Sequence, residues 1–112
     1  MIKEELLKVK TLYEAISKIQ KFTEDMHSVH DMTSNQMAWD AIKMNLVVIA
    51  EMDNKIKPEI KEKFNSVDWY KIKENKSNII SIYLGFDPDE IWKAIREKMP
   101  DFKKQLENAL KS

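Results

Sequence analysis

The sequence predicts an all-α protein, an up-and-down bundle of four to five main helices, and three observations carry that expectation. Apolar residues recur every three or four positions through most of the 112-residue chain. One glycine and three prolines are too few turn formers for a sandwich or barrel of many short strands. Hydrophobic residues make up 43% and charged residues 34%, a balance that suits a soluble folded chain rather than a disordered one. A chain of this length supports one core comfortably, so residues 1–112 are expected to form a single domain.

The first helix is expected from Ile2 to about Met26, because Ile2, Leu6, Val9, Leu12, Tyr13, Ile16, Ile19, Phe22 and Met26 share one face. His27 to Met32 breaks the period and reads as a loop. Thr33 followed by Gln36 has the spacing of a capping box, which would open a second helix with a body from Met37 to about Ile56. The middle of that helix is apolar on most sides, with Met44, Leu46, Val47, Val48, Ile49, Ala50 and Met52. Such a helix buries more than one face, and is expected to meet both the core and another subunit. Pro58 starts a short third helix that ends near Asn65. Asp68 then caps a helix running to Tyr83, with Trp69, Ile72, Ile79, Ile80 and Tyr83 on one side. Gly85 is expected to stop it, since glycine alone takes φ > 0 without cost. Asp87, Pro88 and Glu90 are a start signal for a helix that buries Ile91, Trp92, Ile95 and Met99. Pro100 and Asp101 restart a last helix carrying Phe102, Leu106, Ala109 and Leu110.

Charge and composition exclude several functions. Lys plus Arg and Asp plus Glu number 19 each, so no whole-molecule field draws nucleic acid or anionic lipid. Arg96 is the only arginine, and planar bidentate recognition of phosphate is an arginine property. The absence of cysteine removes disulfides and thiolate metal sites. The opening MIKEELLKVK lacks the apolar stretch of a signal peptide, and no run approaches the roughly 18 apolar residues of a membrane span. The expected location is therefore cytoplasmic. His27 and His30 lie near Asp25 and Asp31, but a metal needs three or four convergent ligands, and these read as ordinary solvated residues. No metal and no cofactor are expected. Trp39, Trp69 and Trp92 fall on apolar stripes and read as core anchors rather than a platform for stacking bases. The seven methionines fill gaps in a core or furnish an adaptable interface. There is no Gly-rich phosphate loop, and Ser17 and the other serines have no histidine at plausible reach.

Two stretches point to a family. One is Ala41-Ile42-Lys43-Met44-Asn45-Leu46-Val47-Val48-Ile49-Ala50-Glu51. The other runs from Val67-Asp68-Trp69 through Tyr83-Leu84-Gly85-Phe86-Asp87, followed by Glu90-Ile91-Trp92 and Met99-Pro100-Asp101-Phe102. Together they resemble the HepT-like branch of the HEPN superfamily, small helical ribonuclease toxins paired with minimal nucleotidyltransferase antitoxins. The resemblance spans nearly the whole chain in order and length. It implies a HEPN-like bundle, a homodimer, metal-independent RNA cleavage, and a nucleotidyltransferase partner for which the motif tyrosine is a nucleotidyl acceptor. The motif of that family is an arginine, four residues, a histidine, one residue and a tyrosine. Those positions hold Lys76, Ser81 and Tyr83 here, so the tyrosine is kept and the other two differ.

The chemistry makes that departure serious. Cleavage without metal needs a group to move the 2′-hydroxyl or leaving-group proton, and a cation fixed beside the phosphorus. Histidine titrates near neutrality and suits the first task; a serine at 81 does not. Lys76 keeps the charge but not the bidentate fork. On the second helix the family commonly carries Arg and Glu where this chain has Met44 and Val47. The resulting expectation is a weak or inactive relative that acts by dimerising and by binding a nucleotidyltransferase, with Tyr83 the modifiable residue. Two alternatives stand beside it: an active RNA-cleaving toxin using Lys76 and Tyr83 in an altered mechanism, and a non-enzymatic helical adaptor.

Overall fold

The computed structural model describes residues 3–70, 72, 80–81 (as backbone) and 85–111. In chain order these form α1 (Lys3–Thr23), α2 (Val29–Ser34), α3 (Gln36–Lys55), α4 (Pro58–Lys63), β1 (Ile80–Ser81), β2 (Gly85–Phe86), α5 (Pro88–Glu97) and α6 (Met99–Lys111). The protein is an all-α helical bundle, as expected. α1 packs against α3 and α6, α5 packs against α6, and α2 bridges α3 and α5. α1 and α3 run antiparallel, and at one end the Lys8 ammonium donates to the Lys55 carbonyl at 3.4 Å.

Burial follows the helical period. α1 buries Val9, Leu12, Ala15, Ile16 and Ile19, and α3 buries Ile42, Leu46 and Ile49. α5 contributes Ile91, Ala94 and Ile95, and α6 contributes Met99, Phe102, Leu106 and Ala109. Met32 of α2, together with Ile56, Val67 and Ile72, completes the same cluster. Truncating a fully buried member such as Leu12 or Leu106 to alanine removes about 2–5 kcal/mol.

Helix starts obey side-chain chemistry, though not always that of the expected residue. Asp87 caps α5, its carboxylate accepting from the Asp89 and Glu90 amides, and Pro88 sits where no amide is missed. Residues 27–32 are not one loop: Ser28 caps α2 by accepting from the Asp31 amide. The expected capping box at Thr33 is absent, because the Thr33 hydroxyl bonds back to the Val29 carbonyl as part of α2. Asn35 caps α3 instead, accepting from the Ala38 amide at 3.1 Å. A capped turn so close to the next helix is hard to separate from a loop by periodicity alone.

The larger correction concerns the helix expected from Asp68 to Tyr83. The backbone is helical at 69–70 and at Ile72. Ile80 and Ser81, however, are extended, and pair antiparallel with Phe86 and Gly85. The composition around this point gives the reason, since the β-branched isoleucines and the asparagines there are poor helix formers. Gly85 does adopt positive φ, +78°, but it does so in β2 rather than as a helix stop.

Candidate active site

The segment carrying the motif is fixed at its start by Trp69. Its indole N–H donates to the carbonyls of Lys61 and Phe64, both at 3.1 Å, so the ring is held against the C-terminal end of α4. The Lys61 ammonium lies over that ring at 5.5 Å from its centroid, and 2.9 Å from a carboxylate oxygen of Asp53. Asp53 is only 2% exposed and sits on the core face of α3, a position tolerable for a carboxylate only when it is paired. The Asp68 amide donates to the Gln105 side chain at 2.9 Å, which ties the same start to α6. At the other end, Phe86 packs half-buried against the core, and Asp87 leads into α5. Three helices thus hold the two ends of the motif segment.

Of the three motif positions, Ser81 lies in β1 opposite Gly85. Lys76 and Tyr83 lie outside the described residues, and with Tyr83 lies the expected modification. The two departures on the second expected helix are described. Met44 is 64% exposed and Val47 is 40% exposed, on the side of α3 away from Ile42, Leu46 and Asp53. Met37, 86% exposed, extends the same side toward the start of the helix. The outer side of α3 is thus apolar at Met37, Met44 and Val47.

Arg96, the lone arginine, has a structural task. Its guanidinium donates to the carbonyls of Thr23 and Met26, the first at 3.0 Å, where α1 ends. It also covers the Trp92 ring at 4.4 Å. The Thr23 carbonyl also accepts from the Met26 amide at 3.0 Å, and a cation at this helix end complements the negative end of the α1 dipole. Trp92 and Arg96 border an open groove with Glu24, Met26 and His27. The acidic Glu24 in that wall disfavours a phosphate there. The tryptophans are half-buried rather than fully enclosed, and each has a basic side chain against its ring: Lys43 over Trp39 at 5.3 Å, Lys61 over Trp69 and Arg96 over Trp92.

His27 and His30 are split by secondary structure, His27 preceding α2 and His30 lying within it. The Asp31 carboxylate accepts from the His27 amide at 2.9 Å, a turn contact. No cluster of three or more His, Cys, Asp or Glu side chains able to hold a metal occurs among the described residues. Likewise no helix among them is long and apolar enough to cross a membrane. Periodicity did not single out the Asp53–Lys61 pair or the Arg96 clamp. The signal for the first was in the sequence: Asp53 interrupts the apolar series Ile42, Leu46, Ile49, Ile56.

The comparisons agree with the resemblance. The model of the family described as "Ribonuclease HepT-like" matches residues 12–109. A Methanocaldococcus jannaschii protein named as a candidate RNase is 28% identical over 96 residues, covering 86% of this chain and 87% of its own. A second protein of that organism, named as a gamma-glutamylcyclotransferase and candidate RNase, is 24% identical, and the match spans 85% of this chain but 42% of that longer protein. A Thermococcus cleftensis protein named as a candidate ribonuclease HepT is 26% identical over 98 residues, 88% of each chain. No solved structure matches. With almost the whole chain inside the family model, the protein belongs to the ribonuclease HepT-like family.

Proposed function

We propose that this HepT-like protein works by association rather than by efficient RNA cleavage, as one component of a toxin–antitoxin type system. In this reading it forms a homodimer through the outer face of α3 and binds a minimal nucleotidyltransferase, for which Tyr83 is the acceptor. The observation that carries it is the exposed apolar surface of Met44 and Val47, at positions where the family commonly places Arg and Glu. Side chains that would flank a cleft with charge are replaced by side chains that favour contact with another apolar surface. The motif occupants Lys76 and Ser81 support the same conclusion, because neither supplies a group that titrates near neutrality.

The face of α3 suits a second copy of the same chain. About a point between Val47 and Val48, two antiparallel copies of the helix would oppose Val47 to Val48, Met44 to Glu51, and Asp40 to Lys55. All six residues fall on the side of the helix away from Ile42 and Leu46 at 3.6 residues per turn, with Val48 at its edge, where it is half-buried against the core. The arrangement is isologous, as a two-fold contact requires, and places an acid opposite a base at each rim. Asp40 and Lys55 are exposed; Asp40 pairs with the half-buried Lys43 at 3.4 Å and accepts from Gln36 at 2.8 Å, and Lys55 pairs with Glu51 at 4.0 Å, neighbours on the same helix that cost little to exchange.

A second reading, an active ribonuclease with altered chemistry, is favoured by the names of the relatives. Purified protein tests the two together. Association without cleavage of a mixed RNA supports the first, and so does nucleotidyl mass added at Tyr83 after co-expression with a neighbouring nucleotidyltransferase. A monomer at high micromolar concentration that cuts RNA, with the cut lost in Lys76→Ala, overturns it.

A further inference from the structure

The methionines differ sharply in exposure, and the difference selects one of them. Met32 is fully buried, Met99 nearly so, and Met26 and Met52 are half-covered. Among the described methionines Met37 and Met44 are the open ones, at 86% and 64%. Both lie on the outer side of α3, two helical turns or about 10 Å apart. In the antiparallel arrangement above, Met44 falls beside Val47 and Val48 near the centre of the contact, whereas Met37 lies beyond the Asp40–Lys55 rim.

We propose that Met44 is a modification site, and that its oxidation to the sulfoxide by a hydroperoxide releases the two copies. This rests on the homodimer reading of α3. The thioether sulfur gives two electrons to one peroxide oxygen; the S–O bond forms as the O–O bond breaks. The departing oxygen takes the proton and leaves as water or an alcohol. No second reductant is consumed, and reduction of the sulfoxide restores the thioether. The product replaces a soft apolar contact with a strong acceptor that faces Glu51 and the valines, while Lys55, one turn beyond Glu51, is engaged by Asp40 at the rim. A buried acceptor without a partner is costly. Because the closed contact covers Met44, oxidation proceeds from the separated chains and prevents their return. Mass action then draws the remaining dimer apart.

The test is graded hydrogen peroxide at low and high protein concentration, with each methionine followed by peptide mass spectrometry and assembly by sedimentation. Oxidation of Met44 is expected to slow as protein concentration rises, while that of Met37 does not. Protein carrying the Met44 sulfoxide is expected to associate about tenfold to hundredfold more weakly, and methionine sulfoxide reductase should reverse the loss. Met44→Leu, whatever its own starting affinity, should associate equally before and after the same treatment. Protein that is dimeric before peroxide and equally dimeric with Met44 fully oxidised overturns this inference alone. So does loss of association in Met44→Leu under peroxide. Protein that is monomeric before any peroxide overturns the homodimer reading with it.

Discussion

Lys61 joins three parts of the protein: its ammonium lies 2.9 Å from the buried carboxylate of Asp53, and its own carbonyl accepts the indole N–H of Trp69. α3, α4 and the start of the motif segment meet at this one residue. Replacing Lys61 with methionine keeps the stem over Trp69 but takes the Lys61 ammonium away from a buried acid. The expected loss is about 2–4 kcal/mol, below the limit for a fully enclosed pair because Lys61 still reaches water. The double change Asp53→Leu with Lys61→Met should recover most of it, since the burial of charge is then avoided. Urea unfolding measures both. A loss under about 0.5 kcal/mol in the single variant would mean the pair behaves like one on the surface.

Gly85 carries a different kind of constraint. Its φ of +78° lies in the region that side chains disfavour, yet a Cβ built there meets nothing within 4 Å. Substitution therefore costs backbone strain without a clash. Gly85→Ala is expected to lose about 1–2 kcal/mol, and Gly85→Asn less, because asparagine visits positive φ more readily. Equal losses in the two variants, read by thermal unfolding, would show that contact rather than φ sets the requirement.

These two residues also show what the sequence made legible. The lone glycine was recognisable as a positive-φ position, but its setting was misread as a helix stop, because an apolar run with Trp69, Ile72, Ile79 and Ile80 also fits a helical face. Pairing of Ile80 with Phe86 depends on a partner six residues away, which a periodic reading along one strand of sequence does not weigh. The two long helices, α1 and α3, were readable because more than five turns of pattern in each average out local exceptions. α2 was not, because a six-residue helix offers less than two turns. Arg96 was noted for its rarity as a phosphate reader, and its actual partners are carbonyls that α1 exposes only once folded. The motif positions Lys76, Ser81 and Tyr83 came from family resemblance and not from the physics of spacing.

The α3 contact makes a prediction that depends on charge order. Asp40→Lys should weaken self-association about threefold to tenfold by setting like charges at both rims. Adding Lys55→Asp should restore it, because the pair is reversed rather than lost. Both residues are exposed, so thermal stability of the separated chain should change little. Sedimentation equilibrium at low salt is the measurement. If the double variant remains as weak as the single one, the two residues do not face each other across a two-fold axis.

Cleavage chemistry gives the last prediction. With Ser81 at the histidine position, turnover of a fluorogenic RNA should lie about 10²–10⁴-fold below that of a family member that has the histidine. Lys76 at the arginine position lowers it further by removing a two-point hold on the phosphate. Ser81→His combined with Lys76→Arg should raise cleavage measurably, and the gain should follow the titration of the new imidazole near neutral pH. Ser81 belongs to an antiparallel pair with Gly85, and a single histidine should leave that backbone pairing in place, since its side chain makes none of the ladder bonds. A wild-type protein that already cleaves at the rate of the double variant would show that Lys76 and Tyr83 suffice, and the association reading would then yield to an active ribonuclease.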